Sequence, residues 1–245
     1  MTNENRTAIV TGAAKGIGAA IAGRLASDGF QTVINYLSSK SEAEQLVAEI
    51  ASAGGRAIAV QGDVADPAAI RTLFDRAEAE FGGVDVLVNN AGILQRKLMV
   101  DVTEDDYQRL IASNLTGSFN GMREGAKRVR DGGRIINFST SIIGYYVPSY
   151  SVYAAAKAAV EAMTHVLAKE LGSRNVTVNA IAPGPVATDL FLSGASEEVV
   201  QRLTADIPLG RLGQPDDIAR VVSFMAGPDS AWVNGQVIKA NGGRN

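Results

Sequence analysis

Seven short runs of apolar and β-branched residues punctuate the chain, and most of the segments between them have helical period. The runs cover 7–10, 31–35, 56–62, 84–90, 133–139, 176–183 and 235–240, and the helical segments cover 16–28, 42–53, 67–81, 104–129 and 153–171. Strands that alternate with helices return in the same direction, and the helices of such crossovers cover both faces of the sheet. The expected fold is α/β, a doubly wound parallel sheet of about seven strands. No shift in composition and no Ser/Pro-rich linker divides the 245 residues, so 1–245 reads as a single domain. Helix starts are legible: Ser41 with Glu44 as a capping box, Asp66-Pro67 as N-cap and first turn, and Thr103 ahead of the acidic "EDD".

Composition removes several function classes. A formal net charge of −3 offers no electrostatic reason to bind nucleic acid or an anionic membrane. The chain has no cysteine and a single histidine, His165, which excludes thiolate chemistry and Cys- or His-rich metal sites. "DVTEDDY" reads as a solvated helix start, so no metal site is expected. The polar opening "MTNENRTAIVTG" carries no apolar secretory segment, and no run approaches the length of a membrane span. The sequence reads as that of a soluble, cytoplasmic protein.

Two motifs carry chemistry. "TGAAKGIG" places Gly12, Gly16 and Gly18 between the first strand and the first helix. There a backbone without side chains can approach a pyrophosphate at a helix N-terminus. "YAAAK" sets Tyr153 and Lys157 four apart on one helix face. A nearby ammonium favours a phenolate and would lower the tyrosine pKa from its ordinary value of about 10.

With these motifs in order, nearly the whole chain resembles the short-chain dehydrogenase/reductase family. "TGAAKGIG" is similar to its cofactor turn (Gly12, Lys15, Gly16, Ile17, Gly18) and "GDV" to its adenine-side contact (Asp63, Val64). "NNAG" is similar to its fourth-strand motif (Asn90, Ala91, Gly92), and "APGPVATD" to its nicotinamide-side loop (Pro183, Gly184, Val186, Thr188). The resemblance implies a Rossmann-type fold and hydride transfer between a nicotinamide cofactor and a carbonyl or alcohol. It makes Tyr153 the proton donor or acceptor, gives Lys157 a second role at the nicotinamide ribose, and places Asn114 in a water-mediated proton relay. It also implies a serine on the substrate oxygen. Counting thirteen back from Tyr153 lands on Thr140, whereas the local Ser-x-x-Gly pattern selects Ser141; Ser141 is favoured, and Ser139 reads as a strand-end residue.

The second strand ends at Tyr36 where an NAD-preferring enzyme of this type carries an acid. Ser38, Ser39 and Lys40, with Lys15, can meet a 2′-phosphate instead, which favours NADPH/NADP+ over NADH and the reductive direction. The substrate reads as a small aldehyde or ketone entering a mouth lined by Tyr145, Tyr146, Pro148, Tyr150 and Leu190–Leu192, with Leu94, Gln95 and Arg96 as a polar wall and 189–209 as a lid. Rival readings are an NAD-linked alcohol dehydrogenase, a 3-oxoacyl-thioester reductase, and a non-catalytic NADP sensor. The resemblance further implies a homotetramer or homodimer.

Overall fold

The computed structural model describes residues 6–193 and 196–245. In chain order the elements are β1 (Thr7–Val10), α1 (Gly16–Ser27), β2 (Gln31–Tyr36), α2 (Lys40–Ser52), β3 (Ala57–Gln61), α3 (Pro67–Phe81), β4 (Val84–Asn89) and α4 (Glu104–Ile111). Then follow α5 (Gly117–Arg128), β5 (Val129–Phe138), α6 (Ser151–Glu170), β6 (Thr177–Pro183), α7 (Asp189–Leu192), α8 (Glu197–Ala205), α9 (Pro215–Ala226) and β7 (Val237–Ala240). The strands form one parallel sheet in the order β3-β2-β1-β4-β5-β6-β7. No helix among the described residues is long and apolar enough to cross a membrane.

Strand alternation sorts the core onto two faces. Ala8, Val10, Ile34, Val86, Val88, Ile136 and Ile181 pack beneath α1, α2 and α9, through residues such as Ile21, Leu25, Ile218 and Met225. Their strand neighbours Ile9, Val33, Leu87, Ile135 and Val178 pack on the other face against Ile70, Leu73 and Phe74 of α3 and Met122 of α5. Full burial of each large side chain contributes about 1.5–3 kcal/mol. Both faces being covered is why the strands read as continuous apolar runs.

Three sequence expectations change. The helix expected over 104–129 is interrupted by a π-helical turn at Ala112–Thr116. Asn114 causes it: its Nδ2 donates to the Leu110 carbonyl at 3.1 Å, the acceptor an unbroken α-helix would give to the Asn114 backbone N–H. The capping box at Ser41 does not form. Helix α2 starts at Lys40 after an N-cap Ser39 that makes no side-chain cap, and Glu42 turns aside to pair with Lys15 at 2.6 Å. β5 starts at Val129, not at residue 133, its register shifting against β4. Asp66 and Thr103 do cap their helices, Thr103 reciprocally with Asp106.

A polar ladder crosses the apolar layer beside α5. Asn89 Nδ2 donates to Asn137 Oδ1 at 2.8 Å, and Asn137 Nδ2 donates to Thr164 Oγ1 at 2.9 Å. Helix α5 reaches this ladder through Gly121, where an added Cβ would stand 2.0 Å from Asn89 Oδ1. Gly121→Ala is therefore expected to cost about 3 kcal/mol by overpacking, despite alanine's higher helix propensity. Urea unfolding of the two proteins at one concentration checks it.

Candidate active site

The strand order reverses direction between β1 and β4, and in open parallel sheets ligands bind beyond the carboxyl ends of the strands at that crevice. Here the crevice is built by side-chain locks. Thr11 Oγ1 accepts from the N–H groups of both Asn90 and Ala91 at 3.0 Å. Asn90 Nδ2 donates to the carbonyls of Thr11 and Gly12 at 2.9 and 3.1 Å. Asn35, in the middle of an otherwise apolar run, accepts from Gly12 N–H at 3.1 Å and donates to the Gly62 carbonyl at 2.9 Å. Sequence reasoning missed Thr11 and Asn35; a lone asparagine inside a buried strand was the available signal.

The glycine turn fits a bulky anion. Gly12 has φ +60°, and a Cβ there would stand 2.9 Å from Ala91 Cα; one at Gly18 would lie 2.3 Å from the Gly12 carbonyl. Helix α1 begins with no side-chain cap, leaving its first N–H groups and positive dipole end available. Thr188 closes the far side, its methyl 3.5 Å from where a Cβ on Gly16 would sit. Thr188 also caps α7, and Val186 is buried against the 213 turn. Ile17 is half-buried and packs on the α1-side core.

The predicted adenine-side residues divide. Val64 is buried against Gly117, while Asp63 Oδ1 accepts from Ala65 N–H at 2.9 Å and holds its own turn. Tyr36 is a core residue, 7% exposed, and presents its carbonyl to Gly62 N–H. Lys15 pairs with Glu42, and Lys40 with Glu44 at 3.6 Å; all four are well exposed, so neither pair holds its lysine strongly.

Tyr153 and Lys157 lie on α6 beneath the ends of β4 and β5. Lys157 is 3% exposed, and its Nζ donates to the Phe138 carbonyl at 2.9 Å and lies 6.0 Å from the Tyr153 ring centre. Burial pushes the Lys157 ammonium down to about 8. Tyr153 moves the other way from the sequence expectation: burial pushes its phenol up to about 12, opposed by a hydrogen-bonding contact from the Thr140 side chain. The chain's own groups thus hold this phenol neutral, because desolvation of the phenolate outweighs the help it receives.

Thr140 and Ser141 occupy different environments. Thr140 is half-buried; its Oγ1 accepts from Ile142 N–H at 3.4 Å, and its side chain meets Tyr153. Ser141 is 1% exposed, and its hydroxyl has no hydrogen-bond partner among the described residues. Ser139 is buried at the strand end and donates to Glu161 at 2.6 Å. Asn114 is fully buried, donates to the Ile93 carbonyl at 3.0 Å, and leaves Oδ1 beside Gly92 with no partner among the described residues. His165 sits on the exposed side of α6, its Nδ1 2.8 Å from the Gly235 carbonyl.

A glycine cradle at the switch point, an uncapped helix start and a buried lysine below a tyrosine define a dinucleotide-binding oxidoreductase. A family model described as "Enoyl-(Acyl carrier protein) reductase" matches residues 12–245. The chain is 43% identical to a short-chain type dehydrogenase/reductase of Picea abies, covering 98% of this chain and 92% of that protein. It is 42% identical to an NADPH-dependent aldehyde reductase-like protein, chloroplastic, of Arabidopsis thaliana, covering 97% and 93%. A short chain dehydrogenase from Burkholderia cenocepacia J2315, solved in complex with NADP, superposes with a TM-score of 0.94 at 38% identity over the full length of both chains. The chain belongs to the short-chain dehydrogenase/reductase family.

The buried ammonium has a measurable cost. Below pH 8 Lys157 is charged in both folded and unfolded chains, and the cost is felt in full. As pH rises toward the ordinary lysine value, the folded chain sheds the proton first and the cost is relieved. Lys157→Met should therefore be more stable than the parent at pH 7, and its advantage should shrink by about 2 kcal/mol by pH 9.5. Denaturant unfolding without cofactor at the two pH values measures the difference.

Proposed function

We propose that this protein reduces an aldehyde or ketone carbonyl with NADPH, and the observation that carries the reading is the Thr140–Tyr153–Lys157 cluster at the crevice. NADPH, when bound, supplies the hydride. The residues fit it: Gly12, Gly16 and Gly18 with the start of α1 hold the pyrophosphate, and Asn90, Ala91 and Gly92 wall the crevice. Pro183, Gly184, Val186 and Thr188 face the nicotinamide side. Lys15 and Lys40, released from exposed glutamates, meet the 2′-phosphate with Ser38 and Ser39. The absence of an acid after β2 and the NADP(H) named for the relatives agree with this choice.

Thr140 and Tyr153 together hold the substrate oxygen. Thr140 takes the orienting role over Ser141, because it is half-buried beside the phenol, whereas the Ser141 hydroxyl is sealed within the loop. Tyr153 donates its proton to the oxygen as negative charge develops there; a phenol near 12 is still a far stronger acid than an alcohol. Lys157 holds positive charge next to that proton and offers its remaining N–H donors to the cofactor ribose. Asn114 Oδ1, a buried acceptor with no partner among the described residues, holds the relay water behind Lys157.

Helices α7 and α8 serve as the substrate lid within a single domain, with Leu190 and Leu192 exposed at its start. An apolar groove of about 530 Å³ between α4 and α6, lined by Met99, Val102, Tyr107, Ile111, Leu115 and Val152, supports assembly of two or four copies.

NADPH oxidation across a panel of aldehydes, ketones and 3-oxoacyl thioesters tests the reading. Tyr153→Phe should abolish turnover while NADPH still binds. Thr140→Ala should lower kcat/KM about 100-fold and Ser141→Ala less than fivefold, as expected for loss of one positioned donor. Carbonyl reduction should weaken above about pH 8 as Lys157 loses its proton. A marked NADH preference, or binding with no turnover across the panel, would overturn the proposal.

A further inference from the structure

Residues 241–245 fold into a hook wedged between two walls of the substrate mouth. On one side Asn245 Nδ2 donates to the Ser141 carbonyl at 3.0 Å, in a space open only because residue 144 is glycine; a Cβ there would fall 1.7 Å from that nitrogen. Arg244 lies over the Tyr145 ring at 4.7 Å, and its Nη1 donates to the Tyr145 hydroxyl at 3.2 Å. On the other side Arg244 Nη2 reaches Asp206 Oδ2 at 3.2 Å, at the end of α8. Leu209 N–H donates to the Gly242 carbonyl at 3.3 Å, and Gly242 abuts Ile207. The hook is internally braced, since Asn241 bonds to Asn245 and accepts from Gly243 N–H at 3.0 Å. Asn241 also packs on the backbone of Gly184 in the nicotinamide-side loop.

We propose that Arg244 is a positioning residue that ties the end of α8 to the loop carrying Thr140, so that substrate closure and donor alignment occur together. The Arg244 side chain is only 12% exposed, although its carboxylate partner is 54% exposed. A surface pair of this kind is worth little by itself. Arg244 is held instead by the aromatic ring beneath it and by two acceptors on separate segments, an arrangement lysine cannot reproduce. The fixed guanidinium plane transmits the position of Asp206 to Tyr145 and thence to the turn five residues from Thr140. Substrate binding should depend on this tie, which acts at the α8 end of the mouth, whereas Arg96 links Tyr150 to the Phe191 carbonyl at the α7 end.

The kinetic part rests on the reductase reading, so the test has a second arm that does not need activity. In Arg244→Gln, amide exchange should quicken at least tenfold in both 141–146 and 197–207, with the β-strands and the NADPH dissociation constant unchanged. With the fastest carbonyl substrate of the panel, KM should rise about tenfold while kcat stays within threefold. Tyr145→Phe, which keeps the ring, should give a smaller effect, Arg244→Lys a partial rescue, and Asp206→Asn should add nothing to Arg244→Gln. Unchanged exchange in either segment, additive Asp206 and Arg244 effects, or a loss of NADPH binding that tracks general destabilisation would overturn the proposal. If the parent protein reduces no carbonyl of the panel, the reductase reading fails and the exchange arm alone decides the tie.

Discussion

Everything in the crevice depends on the hydrogen bonds that clamp the end of β1 to the end of β4. One hydroxyl, Thr11 Oγ1, receives two backbone N–H groups, and one amide, Asn90 Nδ2, serves two carbonyls of the glycine turn. These contacts satisfy main-chain groups left unpaired where the strands diverge, and unpaired buried groups are costly. They also leave the turn rigid and free of side chains, so that the N-terminus of α1 faces an open cradle. Asn35 extends the clamp to the end of β3. The first, third and fourth strand ends are thus one polar unit laid over an apolar sheet.

The candidate site works against the stability of the fold it belongs to. An ammonium 3% exposed and an asparagine oxygen with no partner among the described residues are each unfavourable in a folded chain. They persist because the two apolar layers hold α6 and the α4–α5 junction in place. The π-helical turn shows the same exchange. Asn114 takes a carbonyl from its own helix, and in return its Oδ1 points between Gly92 and Lys157.

Much of this was legible. Strand and helix order, the glycine turn, and the shared face of Tyr153 and Lys157 follow from periodicity and spacing, which report local geometry. What failed were readings that needed a partner from elsewhere in the chain. The capping pattern of Ser41 with Glu44 did not form because α2 already starts at Lys40, where Glu44 pairs with Lys40 and Glu42 with Lys15 of the glycine turn. Helical period ran straight through Asn114, because the Ile93 carbonyl that completes its bonding lies 21 residues away. Tyr36 stands where an NAD-preferring enzyme of this type carries an acid, and its side chain packs in the core. Neither Arg96, which bonds Tyr150 and the Phe191 carbonyl, nor Arg244 has a sequence pattern that announces its role.

By itself the sequence determined the parallel α/β architecture and the family, because apolar periodicity dictates which faces must be buried, and glycine spacing dictates where backbone can approach a ligand. Only the tertiary structure decided how Thr140 and Ser141 divide their surroundings, since a spacing count cannot say which hydroxyl is sealed in and which faces the phenol. It also decided the protonation balance of Tyr153 and Lys157, which depends on how completely distant strands exclude water from them. Burial, unlike periodicity, is a property of the whole packed chain.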